Sequence, residues 1–290
     1  MKICRVITFI IIYLAGWPSF AQTDNIRIGF EHHQKVYKDK KKERVDKYIL
    51  HTDYKSSTFY NPNTYFLDKS AHDENARNAY GQMASAMQAN GQGSLVPNRS
   101  VSTYVFKSFD NQNLRVYQDN NEDYIYYDEP FEEMNWEIVE DSTKTVLDYE
   151  CIMAETDYHG VHWTAWFTPE IPVHDGPWKF EGPPGMILMV SDYSGNHTFV
   201  ATGLEYTAES IPVMEVPEYY SKGNRLEFIK HSSKSIDGYI AELKAMYPES
   251  GIKLRFPGGQ ELSIDEISEY YSSFDPNFQG LEIDYIHADK

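Results

Sequence analysis

Four histidines in the second half of the chain are candidate ligands for a metal ion. Imidazole nitrogens, together with nearby carboxylates and the thiol of Cys151, form a usual ligand set for zinc or copper. The spacing matches none of the patterns HxH, HExxH or CxxC, so the sequence contains no specific metal motif. We therefore expect no resident cofactor, with a zinc or copper site as the open alternative. The candidate ligands are His159, His162, His174 and His197, and His32-His33 is a weaker pair.

Cys151 is the candidate nucleophile for covalent catalysis. A catalytic thiolate needs a neighbouring histidine or another positive group to lower its pKa. Glu150 precedes Cys151 in a strand-like run, and an adjacent acid raises the pKa of a thiol instead. The sequence therefore favours a buried, inert cysteine. The alternative function is a metal-dependent or Cys/His hydrolase that uses residues of the 150–197 segment.

A stiff, aromatic segment follows these strands. Its prolines fix φ, and its glycines allow positive φ or close backbone approach. Such a loop serves either as a packed plug or as a platform for a ligand, and packing is favoured because buried aromatic residues dominate protein cores. The candidate binding residues of this segment and of the strand before it are Trp163, Trp166, Trp178, Phe180, Gly182, Pro183, Pro184 and Gly185.

A β-hairpin around residues 157–160 is predicted to position the candidate residues. In one register Cys151 faces Trp166. The same register places Glu155 opposite His162, but the sequence does not fix it, and a slip of one residue breaks both pairs. The second strand alternates between an apolar and a more polar face. The apolar face carries Val161, Trp163, Ala165 and Phe167, and the polar face carries His162, Thr164 and Trp166.

Short strands with alternating apolar and polar residues dominate the chain. Their short connections favour an antiparallel meander. A helix is predicted over 70–90 with Ser70 as its N-cap, and two C-terminal helices follow, the second marked by a Ser263/Glu266 capping box. The predicted fold class is α+β, a predominantly antiparallel β-sheet (a curved sheet or half-barrel) with an inserted helix and C-terminal helices. The predicted strands are 25–30, 45–52, 101–109, 113–118, 122–128, 135–140, 148–155, 161–168, 186–192 and 197–206.

The chain begins with the pattern of a secretory signal peptide. Lys2 and Arg5 form a short positive region before the apolar stretch 6–15, and Ser19-Phe20-Ala21 is a typical cleavage site. We expect a signal peptide over 1–21, a single domain over 22–290, no later transmembrane segment, and a periplasmic or extracellular location. With 26 Lys+Arg against 44 Asp+Glu, the net charge of −18 argues against nucleic-acid partners.

The aromatic segment carries a specific resemblance. Residues 182–187 read Gly-Pro-Pro-Gly-Met-Ile, after a Tyr-x-Cys strand and an Asp-Gly-Pro-Trp-Lys-Phe turn at 175–180. This block resembles the GLPGLI family of Bacteroidetes envelope proteins, specifically over 122–206 and more weakly over the rest of the mature chain. Pro183 and Met186 stand where the family usually has leucines. Arginines that many members carry near the hairpin turn are absent here, so no role of theirs carries over.

The resemblance implies a secreted or periplasmic protein of unknown biochemical activity and supplies no catalytic residues. From the chemistry of the chain, we expect a non-catalytic envelope module for ligand binding or assembly. Its partner would be an envelope component, peptide, glycan or lipid. The hydrolase is the alternative, and the two differ in whether polar groups converge in one pocket.

Overall fold

The computed structural model describes residues 25–71, 73–97, 103–119, 124–212, 220–232, 236–248, 253–255, 261–275, 278 and 280–282. The predicted signal peptide, residues 1–21, lies outside these ranges. Within them, no helix combines the length and the apolar composition needed to cross a membrane.

One sheet of twelve strands forms the framework of the protein. Its strands are β1 (Asn25–Gln34), β2 (Arg44–Thr52), β3 (Ser56–Tyr60), β4 (Tyr104–Ser108), β5 (Asn113–Asp119), β6 (Tyr124–Pro130), β7 (Glu137–Val146), β8 (Tyr149–Tyr158), β9 (Val161–Thr168), β10 (Met186–Asp192), β11 (His197–Thr207) and β12 (Ser221–Lys222). The spatial order is β12-β6-β5-β4-β3-β2-β1-β11-β10-β9-β8-β7, so β12 and β7 are the edges of an open sheet. Only the contact between β12 and β6 is parallel.

The helices fall before β4 and after β12. They are α1 (Pro62–Ala71), α2 (Glu74–Ala89), α3 (Arg225–Ser232), α4 (Ile236–Met246) and α5 (Ile264–Ser272), with a 3₁₀ turn at Gly93–Leu95. A separate ladder pairs β13 (Lys253–Arg255) with β14 (Glu261–Ser263).

The predicted α+β fold class is confirmed, with a sheet that is antiparallel apart from one short pair. The ten predicted strands all occur, whereas the short strands β3 and β12 of the sheet and the ladder of β13 with β14 were missed. The capping box between Ser263 and Glu266 is present at the start of α5.

The helix predicted over 70–90 is wrong at its start. Ser70 lies in the last turn of α1, where its hydroxyl donates to the carbonyl oxygen of Phe66 at 2.7 Å. The cap of α2 is Asp73, whose carboxylate accepts from the backbone N–H groups of Asn75 and Ala76. An Asp at this position satisfies two amides that the first helical turn leaves without partners, which is why the chain begins a new helix there.

The predicted hairpin of β8 and β9 is present, with a tighter turn than expected. Tyr158 pairs directly with Val161 across the two-residue turn His159-Gly160. These two residues have φ values of +50° and +81°. Positive φ at both central positions is the geometry of a type I′ turn, whose twist matches that of the flanking strands.

This turn shifts the hairpin register by two residues from the one considered above. Trp166 pairs with Met153 instead of Cys151, and the Glu155–His162 pair is displaced in the same way. A shift of two keeps every side chain on its face, so the predicted division of β9 into two faces is confirmed. Buried on its apolar face are Trp163, Ala165 and Phe167.

The sheet has an inner face that the connection 169–185 covers. Ile28, Leu50 and Phe199 lie in the core of this face, in one cluster with Phe180 from the connection. Leu281, near the C-terminus, packs against the same cluster. The opposite, outer face is partly open to solvent.

A buried lysine fastens the connection 169–185 to the inner face. The Nζ atom of Lys107 in β4 donates to Asp175 Oδ1 at 2.7 Å and to the carbonyl oxygens of Gly176 and Phe180 at 2.7 and 2.8 Å. The side chains of Lys107 and Asp175 are both 0% exposed. All three donor positions of the ammonium group are therefore used to hold the connection in place.

Gly185→Ala is expected to lower the free energy of unfolding by about 3 kcal/mol or more. Gly185 has a φ of +153°, and a Cβ atom there would overlap the carbonyl oxygen of Thr168. The Thr168 carbonyl and the Gly185 main chain both belong to the backbone, so they cannot move apart without distorting β9 or β10. Gly81→Ala is the control, because a Cβ there meets open space. In urea unfolding, Gly81→Ala should raise the free energy of unfolding by at most about 1 kcal/mol. Equal effects of Gly185→Ala and Gly81→Ala would contradict this account.

Candidate functional site

A cavity of about 210 Å³ lies on the inner face, where β1 ends and β2 begins. Cavities in which polar groups converge against apolar walls are the usual ligand sites of proteins, so this cavity is the candidate site. Its walls include Tyr48, Phe59, Trp178 and Phe199, its polar groups belong to His32, Gln34, Arg44, Asp46, Thr103 and Gln118, and Leu281 completes the lining.

The register of β1 with β2 brings the polar groups together. His32 lies opposite Asp46, and Gln34 lies opposite Arg44. Gln34 Nε2 and Arg44 Nε are each 2.9 Å from the same oxygen, Asp46 Oδ2. Burial raises the pKa of Asp46, and the lowering effects of Arg44 and Gln34 do not cancel it.

His32 forms the wall between the sheet core and the polar groups. Its ring stacks on Phe199 with centroids 3.9 Å apart, and its Nε2 atom is 3.1 Å from Nδ1 of His197. Burial lowers the pKa of His32 well below its usual value, and nearby His197 and Arg44 lower it further. His32 is therefore a neutral imidazole at neutral pH.

Acidification is expected to destabilise the protein through His32. Because its pKa is lower in the folded state than in the unfolded state, the folded protein binds fewer protons, and stability falls as the pH drops below about 6.5. The slope that one such group adds is up to about 1.4 kcal/mol per pH unit. Urea unfolding from pH 7 to pH 5 should show a shallower loss in His32→Phe, which keeps a ring against Phe199. The exposed control His174→Gln should retain the pH dependence of the unmodified protein. If His32→Phe also retained it, His32 would not be the cause of the loss of stability in acid.

The four candidate histidines do not meet. His197 contacts His32 beside the cavity, whereas His159 is buried at the hairpin turn. His162 is on the outer face, where its Nδ1 atom is 2.8 Å from Asp157 Oδ1. His174 is exposed on the connection 169–185. The zinc or copper set proposed from sequence would thus need ligands from different parts of the fold.

One group of three metal-type ligands does occur among the described residues. Ligand atoms of Glu129, Glu132 and His159 lie within 4.8 Å of one another. However, the Glu129 oxygens are already bound by Lys179 Nζ and Arg225 Nε, each at 2.8 Å. A divalent cation would have to enter beside these two positive groups, so the geometry fits an ion-pair cluster better than a metal centre.

Glu282 joins this cluster from the C-terminal segment. Its Oε1 atom is 2.7 Å from Lys179 Nζ, 3.2 Å from His159 Nε2 and 3.5 Å from Arg225 Nη1. Burial raises the pKa of Glu282 despite these cations. Burial alone would lower the pKa of Lys179, but Glu282 and Glu129 hold it above its usual value. We call Glu129, His159, Lys179, Arg225 and Glu282 the ion cluster.

Cys151 lies in the core, where its thiol is not accessible to a substrate. It is fully buried, and burial raises the pKa of its thiol to about 11. Its Sγ donates weakly to the carbonyl oxygen of Tyr149 at 3.7 Å. The thiol is therefore neutral at physiological pH and packs as a small apolar group.

The candidate binding residues divide between the core and the surface. Trp163, Trp178 and Phe180 pack edge-to-face or tilted, with centroids 4.8 to 6.3 Å apart. Of these three, Trp178 also lines the cavity. Trp166 lies half-buried on the outer face, with Lys144 Nζ 4.6 Å from its ring centre. In the motif itself Gly182 and Pro184 are exposed, whereas Pro183 and Gly185 are buried.

A larger groove of about 400 Å³ lies on the outer face over Gly29 and Gly203. Its charged lining is satisfied internally, because Arg27 bonds Glu205 and Glu209, each at 2.6 Å. The groove offers a ligand fewer unused polar groups than the cavity does.

Sequence reasoning missed the cavity apart from Trp178 and the weaker candidate His32. The signal was present in β1, where His32 and Gln34 continue the alternation of Ile28 and Phe30. Polar residues at core positions of a strand indicate a buried polar site that needs partners. The partner of Gln34 is Asp46 in β2 and that of His32 is His197 in β11, and the local pattern of β1 reveals neither.

Comparisons with known proteins give a family match over a short part of the chain and no activity. A family model described as "Protein of unknown function (Porph_ging)" matches residues 158–189, from the hairpin turn through the motif into β10. The comparison with curated proteins gives no match. Two solved structures of PNGF-II, in the P21 and C2 space groups, are similar at 12% identity, with TM-scores of 0.48 and 0.47. The similarity covers 73% of this chain and spans 33% of theirs. Likeness at this level does not establish a shared fold or activity.

Proposed function

We propose that this protein is a non-catalytic module of the cell envelope, secreted or periplasmic, that binds a small ligand in the cavity. The observation that carries the proposal is the convergence of Asp46, Arg44 and Gln34 against aromatic walls. The resemblance to the GLPGLI family, in the block that overlaps the family-model match, supports the location, as does the signal-peptide pattern. An envelope partner that presents a peptide, glycan or lipid group would supply the ligand.

Two features favour binding over hydrolysis. The thiol of Cys151 is neutral and buried, and none of the groups that shift its pKa is a histidine. Glu129 and Glu282, two of the carboxylates near His159, are bound by Lys179 and Arg225, so an activating metal would have to compete with these cations. The hydrolase alternative needs at least one of these groups in a reactive state.

Native mass spectrometry of residues 22–290, recovered from a periplasm, tests the proposal. We expect a bound small molecule that is retained under gentle conditions. Thr103→Phe should abolish the adduct, because the larger ring fills the cavity beside Gln118. Thr164→Phe, the same substitution on the outer face, should retain it.

Two results would overturn the proposal. One is a bare mass that stays bare when candidate envelope fractions are added. The other is an adduct that Thr103→Phe and Thr164→Phe affect equally. A stoichiometric zinc or copper mass that is lost in Glu132→Gln would instead favour the metal-dependent alternative.

A further inference from the structure

We infer that the cavity takes one neutral sugar ring, as the terminal unit of a glycan. This inference rests on the proposed binding function and names its ligand class. A sugar ring combines hydroxyl groups that both donate and accept hydrogen bonds with a face of C–H groups. It therefore needs acceptors and donors side by side, next to an aromatic surface.

The polar lining provides such neighbouring groups. Both bonds to Asp46 end on Oδ2, so its Oδ1 atom is the acceptor available to a hydroxyl donor. Gln118 accepts from the Tyr127 hydroxyl through Oε1 at 3.4 Å, which leaves its amide N–H groups to donate. The hydroxyl of Thr103 lies in the same lining and does either.

The aromatic lining provides the apolar surface. Tyr48 and Phe59 stack with centroids 4.6 Å apart, and Trp178 faces the cavity from the connection 169–185. The fixed rings lose little conformational freedom when a ligand binds, because the core already holds them. A polyhydroxylated ring can place its C–H face here while its hydroxyl edge meets Asp46.

Charge and size exclude other occupants. Arg44 and Asp46 neutralise each other at 2.9 Å, so an anionic group would meet the Asp46 carboxylate, and an amino-acid zwitterion would have to break the pair. A lipid chain would cover Asp46 Oδ1 without giving it a hydrogen bond, which is costly. The volume of about 210 Å³ is below the roughly 300 Å³ at which pockets for drug-sized ligands begin, so one ring fits and an oligosaccharide does not.

Titration with methyl glycosides tests the inference on the mature protein. Saturation-transfer NMR and calorimetry with the methyl glycosides of glucose, galactose, mannose, fucose and N-acetylglucosamine should show millimolar binding of at least one. Asp46→Asn should weaken that binding about tenfold, the usual effect of losing a charge-assisted bond. Gln118→Ala should weaken it as well, and provides a second test if Asp46→Asn unfolds. Asp157→Asn, on the outer face, should leave the affinity unchanged.

The outcomes separate this inference from the function on which it rests. No binding of any glycoside overturns the sugar assignment, as does binding that Asp46→Asn and Gln118→Ala leave unchanged. If native spectra still show an adduct that Thr103→Phe removes, the binding function stands with another ligand class, such as an amino acid. If that adduct is absent too, the sugar assignment and the proposed binding function both fail.

Discussion

Lys107→Met is expected to lower the free energy of unfolding by about 3–5 kcal/mol, the loss typical when one partner of a buried ion pair is removed. Methionine keeps most of the aliphatic volume but leaves the Asp175 carboxylate buried without its cation. It also removes the donor to two carbonyl oxygens of the connection 169–185. Equilibrium unfolding in urea measures the loss directly.

Two further variants show whether the buried charge is the cause. Lys47→Met, at a side chain that is 74% exposed, should change stability by no more than about 0.5 kcal/mol. Adding Asp175→Asn to Lys107→Met should recover part of the loss, because it removes the uncompensated carboxylate. If the double variant were less stable than Lys107→Met alone, the unpaired buried charge of Asp175 would not be the cause of the lost stability.

The fold is predictable from sequence where local pattern determines it. Alternation located ten strands, and the capping box located α5, because each signal lies within a few neighbouring residues. The hairpin register was not predictable in this way, since it depends on positive φ at His159. Histidine adopts that conformation less readily than Asn or Gly, so its position in the turn is set by the strands that pack on either side.

The candidate site was less predictable because its partners are distant in sequence. Packing was favoured from sequence for Trp178 and Phe180, and both side chains are buried. Nothing local indicates that Lys107 bonds a carboxylate 68 residues away. The cavity is likewise built from residues that are distant in sequence, because Leu281 and Trp178 reach it from different segments. A single sequence shows which residues are polar at core positions, and only the fold shows what satisfies them.

Lys179→Met is expected to lower the free energy of unfolding by about 3 kcal/mol and to loosen the C-terminal segment. Lys179 is 0% exposed and bonds both Glu129 and Glu282. Without it, these two carboxylates face a single permanent positive charge, that of Arg225. Glu282 holds the segment that places Leu281 at the cavity. Urea unfolding measures the stability, and amide hydrogen exchange over 280–282 should accelerate beyond the change in global stability.

Glu282→Gln in the Lys179→Met background is the decisive comparison. It removes one uncompensated carboxylate and should restore part of the stability, because the glutamine amide can still meet Glu129 or His159. The segment should nevertheless stay loose, since the ion pair that anchored it is absent. Lys222→Met, at a side chain that is 66% exposed, is the matched control and should alter neither measurement. Equal stability of Lys179→Met and the double variant would mean that lost packing, and not the charge of the ion cluster, explains the effect.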